Sequence, residues 1–161
     1  MDDGYSGIHM LTLIVLVVLE AVLYGFGAAL QELGGGLEEE ARDGNRKAEK
    51  ILALAERPGR LVSTNLVFTT GSSLIVGAFI FRKMIWSSQN PVYAVVEALV
   101  YIILLVSLGM ALPKRLAAEN PEKWAMGLFP AVSVLMTLLI PVTAAGGAGS
   151  SLLLRGAGRD P

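Results

Sequence analysis

The amino-acid sequence predicts an all-α integral membrane protein with three transmembrane helices and a fourth apolar helix in or beside the membrane. The first observation is a set of apolar runs of 21 to 23 residues each, which are Ile8–Leu30, Leu61–Phe81, Val92–Leu112 and Trp124–Ala144. About 20 helical residues cross a hydrocarbon core of about 30 Å. The second observation is that Glu20 and Glu97 are the only Asp, Glu, Lys or Arg residues within these runs. A soluble bundle would instead carry charges along the outer face of every helix.

Composition excludes several classes of function. The flank of the first run contains Asp2 and Asp3 but no basic residue, so the run does not resemble a cleaved signal peptide. The absence of cysteine excludes disulfides and thiolate metal sites. With one histidine and no nucleophile–base pair, we do not expect an enzyme. The net charge of −1 gives no reason to expect a nucleic-acid partner.

The segment after the first run predicts a cytoplasmic amphipathic helix from Leu37 to Leu54. Acidic residues cluster at its start and bases are commoner later, which is the arrangement that a helix dipole favours. Six of the thirteen Lys and Arg residues lie in Gln31–Arg60. Because positive charge marks the cytoplasmic side, this loop is expected inside and the N-terminus outside. The sequence therefore predicts a multi-pass protein of the plasma (inner) membrane.

The second run carries an unusual number of hydroxyl and amide groups. At about 100° per residue, four of them fall within one arc, so this arc should face protein or water rather than lipid. Oxygen ligands suit hard cations such as Mg²⁺, and a carboxylate in the middle of a span is a functional candidate. The predicted metal-binding residues are Ser63, Asn65, Thr69, Ser72 and Ser73, with Glu20 supplying charge. The alternative is hydrogen bonding between helices or back to the backbone of the same helix.

The remaining spans leave two points open. Glu97 lies near the outer end of the third run, and we interpret it as structural because its side chain can reach the headgroups. The fourth run contains Pro130 and Pro141, each of which removes a backbone hydrogen bond. Both a full span and a bent helix along the inner interface are compatible with that pattern. Ala21, Gly25 and Ala29 repeat every four residues, which favours close helix packing, within the chain or in a homodimer.

Three short motifs resemble the transmembrane domain of the cyclin M (CNNM)/CorC family. Gly44–Ala48 (GNRKA) is similar to the family's G-N-R-x-A, and Pro58–Ser63 (PGRLVS) is similar to its P-x-R-L-x-S. Leu112–Ala117 (LPKRLA) is similar to the family's L-P-K-x-x-A. The motifs stand at the family's spacing, and the likeness extends roughly from Leu11 to Val142.

The resemblance implies both an architecture and a role. The family comprises magnesium and cobalt transport or efflux proteins, also described as hemolysin-like. It implies an outside N-terminus, three transmembrane helices, an interfacial helix after the third, and a homodimer. The chain then divides into a CNNM-like transmembrane domain, residues 1–144, and a Gly-rich disordered tail, residues 145–161. Mg²⁺ is the expected transported ion, with no tightly bound cofactor. The family's CBS modules have no counterpart here, so no nucleotide partner is expected.

Several positions depart from the family pattern. Met110 replaces a usual glutamate, Phe68-Thr69 replaces Gly-Asn, Ser73 replaces an asparagine, and Phe26 replaces a further glutamate. A thioether is a poor Mg²⁺ ligand. Three hypotheses follow: a divergent transporter of divalent cations, a degenerate paralogue that acts as dimer partner or scaffold for a complete family member, or a fragment whose gene continues in a neighbouring reading frame.

Overall fold

The structure, a computed structural model, describes the backbone of residues 3–86 and 90–156. Side chains are described for residues 7–82, 85 and 90–146. The helices are α1 (Asp3–Gln31), α2 (Gly36–Arg42), α3 (Arg46–Glu56), α4 (Gly59–Trp86), α5 (Pro91–Leu104), α6 (Leu112–Glu119) and α7 (Pro121–Gly156). A π-helical segment, Leu105–Ala111, joins α5 to α6. The described residues contain no strand, so the all-α prediction is confirmed.

Four stretches are long and apolar enough to cross a membrane, as the hydropathy pattern predicts. They are Gly7–Gln31, Gly59–Arg82, Pro91–Glu119 and Pro121–Gly146. The third stretch combines α5, the π-helical segment and α6 without an intervening loop. Pro113 explains the wide turn before it, because proline donates no hydrogen bond to the carbonyl four residues earlier and its ring collides with that carbonyl.

The prediction of a single helix from Leu37 to Leu54 is wrong in one respect, because the structure has two helices there, α2 and α3. Gly44 adopts a φ of +86°, a conformation that side chains with a Cβ rarely adopt. The side chain of Asn45 then caps α3, since its Oδ1 accepts hydrogen bonds from the N–H groups of Lys47 at 3.1 Å and Ala48 at 3.4 Å. The same residues that carry the first family motif therefore form a turn.

The backbone of α7 continues beyond the boundary expected at Ala144 and ends at Gly156. The helix therefore includes much of the segment that was expected to be a disordered tail. Extending an existing helix needs no new nucleation, and alanine and leucine in this segment favour it. Residues 157–161 lie outside the described residues. Pro130 and Pro141 stand inside α7 without ending it.

The contacts of α7 show that it runs across one end of the bundle rather than along it. Near its start, the ring of Trp124 lies against Gly25, about two turns from the end of α1. Ile140 and Thr143 line a groove with Gly59, the first residue of α4. Residues 124 and 143 are separated by about 28 Å of helix. Because both ends of that stretch meet the α2–α3 end of the bundle, these contacts agree with the interfacial alternative.

The helices bury two apolar clusters at different levels. A proximal cluster, at the α2–α3 end, gathers residues of α1, α2, α3, α4, α6 and α7, among them Phe26, Leu37, Ile51, Leu61 and Val132. A distal cluster joins α1, α4, α5 and the π-helical segment through Leu16, Val76, Tyr101 and Leu105. Residues of α7 occur in the proximal cluster alone. The level between the two clusters is occupied by Glu20 of α1.

The small-residue repeat of α1 serves packing within the chain. A Cβ added to Gly25 would meet the Trp124 ring at 3.2 Å and Pro113 Cβ at 3.3 Å. At Gly27, two residues away, an added Cβ would meet only Leu61 Cδ2, at 3.9 Å. At Gly25, α1 therefore approaches both α6 and α7 closely.

We expect Gly25→Ala to destabilise the fold relative to Gly27→Ala. Each change replaces glycine by alanine inside α1, which favours the helix by about 1 kcal/mol in both variants. Only the first forces a methyl group against packed atoms, which costs about 1–3 kcal/mol. Thermal unfolding in detergent measures the difference, and Gly25→Ala should give the lower midpoint. Equal midpoints for the two variants would contradict the close approach of α1 to α7.

Candidate cation site

A buried carboxyl group marks the candidate site. The side chain of Glu20 is 0% exposed although it lies in the middle of an apolar helix. Ionised groups at this depth are costly unless they are paired or hydrogen-bonded. The hydroxyl of Thr69, on α4, donates a hydrogen bond to Glu20 Oε1. Among the described residues, Glu20 Oε2 has no hydrogen-bond partner although it is buried.

The polar arc of α4 brings two further groups toward the same region. Ser72 is buried, one turn after Thr69, and its hydroxyl donates to the carbonyl of Thr69 at 3.0 Å. Asn65 lies one turn before Thr69, and its Oδ1 atom is buried with no partner in the described part of the chain. Thr69, Ser72 and Asn65 thus form a polar stripe along the arc that the sequence predicts to face protein.

Tyr101 of α5 is a residue that the sequence analysis missed. Its hydroxyl is buried and makes no well-formed hydrogen bond to any described residue. Tyr101 is buried in the distal cluster with Leu16 of α1, which lies one turn before Glu20. Tyrosines near the ends of apolar runs are ordinary interface anchors, whereas Tyr101 lies in the middle of its run. A tyrosine in the middle of an apolar run was therefore the sequence feature that could have predicted a hydroxyl group deep in the membrane.

The π-helical segment closes the site from the third side. The backbone at Gly109 packs against Glu20, because a Cβ built there would lie in ordinary van der Waals contact, 3.5 Å from Glu20 Cβ and Cγ. Met110 is partly buried and packs against the distal cluster. The position where the family usually has a glutamate therefore lies next to the residue that touches Glu20.

Two of the predicted metal-binding residues lie elsewhere. Ser63 stands half a turn around α4 from Ser72 at about 100° per residue, and its hydroxyl donates to the Gly59 carbonyl at 2.9 Å. Ser73 is exposed and donates to the Thr69 carbonyl at 2.8 Å. For these two residues, the structure shows the alternative of bonding back to the same helix. Of the six predicted residues, it brings Glu20, Thr69 and Ser72 together, with Asn65 one turn away.

The chemistry of the assembled side chains is that of an oxygen site with one negative charge. The donors are a carboxylate, three hydroxyls and an amide carbonyl: Glu20, Thr69, Ser72, Tyr101 and Asn65. No group of three or more His, Cys, Asp or Glu side chains suited to a metal ion occurs among residues the structure describes. Hard cations prefer such oxygen donors, whereas soft metals prefer sulfur and nitrogen.

A narrow crevice lies between α1, α4 and α5 next to Tyr101. It has a volume of about 20 Å³ and is lined by seven residues, including His9, Glu97 and Tyr101. One water molecule needs at least about 10–15 Å³. The imidazole of His9 stacks on Phe79 with ring centroids 4.5 Å apart. The crevice therefore places polar side chains between Tyr101 and the end of the bundle opposite α2 and α3.

Comparisons with known proteins agree with the motifs. The sequence model of the cyclin M transmembrane N-terminal domain matches residues 11–160. A protein of Synechocystis sp. with the name UPF0053 protein sll0260 is 28% identical over 162 residues. The alignment covers 92% of this chain and 36% of that protein, so the chain spans about a third of the relative's length. No solved structure gives a significant match.

Thr69→Val should destabilise the fold because it leaves both carboxyl oxygens of Glu20 without a protein partner. Hydrogen bonds between membrane helices are worth about 0.6–1.7 kcal/mol, and a loss in this range is expected. Thr137→Val is the matched control, since the Thr137 hydroxyl donates only to the Ser133 carbonyl of its own helix. Unfolding in detergent measures both variants. A Thr69→Val loss no larger than that of Thr137→Val would contradict the bond.

Proposed function

The chain belongs to the cyclin M transmembrane family, and from that premise we propose that it transports a divalent cation, Mg²⁺ in the first place. The family includes divalent cation transport proteins, and members of this type are membrane proteins rather than typical enzymes. The homodimer and the N-terminus outside remain predictions of the resemblance and of the charge distribution.

The observation that carries the proposal is the buried carboxyl group of Glu20 with an unpartnered oxygen. Apolar helix packing has no use for such a group, because a leucine would fill the same space at lower cost. A cation that binds there gains a full negative charge in a medium of low dielectric constant. The hydroxyl group of Thr69 supplies a neutral oxygen at Glu20, and we propose that the buried hydroxyl of Tyr101 supplies another.

Passage through the membrane requires a route on each side of this site. The narrow crevice past His9 and Glu97 supplies the start of one route, from the end opposite α2 and α3. On the other side, the polar stripe of α4 continues by Asn65 toward the α2–α3 end. We propose that the cation exchanges its water ligands for these oxygens at Glu20 and leaves along the other route.

One carboxylate neutralises only half the charge of Mg²⁺. This limits the affinity of the site, and Met110 stands at the position where the family's usual glutamate would supply a second carboxylate. A weakly binding site is compatible with transport, because the ion must also leave. If the affinity for Mg²⁺ is too low for transport, the chain acts as a non-transporting scaffold instead. Flux measurements separate the transporter from the scaffold.

Glu20→Gln should reduce Mg²⁺ flux into proteoliposomes to the level of empty liposomes. The amide has nearly the same shape but removes the only charge among the described groups that line the site. Ser73→Ala is the control, because Ser73 is exposed and bonded to its own helix, and it should retain most of the flux. Unchanged flux in Glu20→Gln would remove Glu20 from the pathway. A silent wild-type chain would favour the scaffold hypothesis.

Met110→Glu should strengthen Mg²⁺ binding by at least about tenfold, which corresponds to 1.4 kcal/mol. The new carboxylate would lie beside the residue that touches Glu20, and two carboxylates match the charge of the ion. Isothermal titration with Mg²⁺ in detergent measures the change. Met110→Gln, which adds a polar group without charge, should give a much smaller gain. Equal gains from both variants would show that charge at this position is irrelevant.

A further inference from the structure

The start of α4 and the middle of α7 enclose an open groove away from Glu20. Its volume is about 330 Å³, within the range of clefts that hold small molecules. Six residues line it: Gly59, Arg60, Ser63, Ile140, Thr143 and Ala144. None of the six is acidic, and the first turn of α4 contains no acidic residue. The groove therefore combines one guanidinium group and two hydroxyls with an apolar wall.

The groove uses residues of the PGRLVS motif that the cation site leaves without a role. Leu61, in the same motif, is buried in the proximal cluster. Arg60 and Ser63 are exposed and stand on the side of α4 that faces away from Ser72. Thr143 reaches the same space from α7, where its hydroxyl donates to the carbonyls of Leu139 and Ile140. Rotation about one bond turns such a hydroxyl toward a ligand instead.

The groove lies where the apolar part of α4 begins. The membrane-length stretch of α4 runs from Gly59 to Arg82, so its first turn stands at the level of lipid headgroups. One turn beyond Ser63, Leu66 is 68% exposed, and Ile140 in the wall of the groove is 41% exposed. A ligand with its polar end at Arg60 would thus meet exposed aliphatic side chains along the adjacent turns.

The charge of the groove selects the headgroup. A guanidinium group binds phosphate through two parallel hydrogen bonds, and neighbouring hydroxyls complete the set of donors. A second groove at the same end of the bundle, between α1, α2 and α3, is lined by Glu38, Glu49 and Glu56 with Arg42. That groove would repel an anionic headgroup. Of these two grooves, the one between α4 and α7 complements a phosphate.

We propose that the groove between α4 and α7 is a binding site for the phosphate headgroup of an anionic phospholipid. Arg60 forms the ionic contact, Ser63 and Thr143 donate hydrogen bonds, and the acyl chains lie along Leu66 and Ile140. The lipid joins the start of α4 to the middle of α7, the point at which the two helices are open to the bilayer. This site is separate from the cation site and does not depend on transport.

Native mass spectrometry of the full chain, released from detergent with added lipid, tests the site. The chain should retain phosphatidylglycerol at least about tenfold better than phosphatidylcholine, as expected for a charge-assisted contact. Arg60→Gln should abolish that preference. Arg46→Gln, which removes an exposed arginine at the start of α3, should preserve it. Equal retention of phosphatidylglycerol by wild type and Arg60→Gln would overturn the proposal.

Two further arms make the outcome specific to a lipid in this groove. Ser63→Leu fills the groove while Arg60 remains, and it should also remove the preference. Because Ser63 is exposed on a membrane-facing helix, this variant is expected to fold, and its unfolding midpoint checks that. Inorganic phosphate at millimolar concentration should leave bound phosphatidylglycerol in place. Displacement by phosphate alone would identify a site for free anions instead and would overturn the proposal.

Discussion

The burial of the Glu20 carboxyl group is the constraint on which the interior arrangement depends. A carboxyl group between apolar helices is tolerated only when each neighbouring element contributes something to it. From α4, Thr69 donates a hydrogen bond; α5 brings the buried hydroxyl of Tyr101; and the π-helical segment packs its backbone at Gly109 against Glu20.

The widened turn before Pro113 shows how a backbone defect serves this arrangement. Pro113 cannot donate a hydrogen bond to the carbonyl of Gly109, and the chain forms a π-helical segment there instead of ending the helix. The extra width changes which residues face α1, so that Gly109 meets Glu20 while Met110 packs against the distal cluster. The geometry of the site is thus set by a residue that does not touch Glu20 in any described contact.

The sequence predicts the spans, Glu20 and the polar arc because these depend on composition and period alone. It does not predict that Ser63 and Ser73 bond to their own helix, because a hydroxyl has a partner in either direction and the neighbouring helix decides. Hydropathy measures the length of an apolar helix and not its direction, so the course of α7 follows only from the contacts of Trp124 and Ile140. The turn at Gly44 depends on one dihedral angle.

The contact between Glu122 and Gly36 has a consequence for how the chain is made. The N–H group of Gly36, at the start of α2, donates to Glu122 Oε1 at 3.1 Å, and no side chain caps α2 from its own N-cap position. A ribosome synthesises α2 long before it reaches α7. During that interval α7 does not yet cover the end of α1, and Gly25 lacks its contact with Trp124. The residues of α7 are therefore the last to join the proximal cluster, after the three earlier membrane-length stretches have been made.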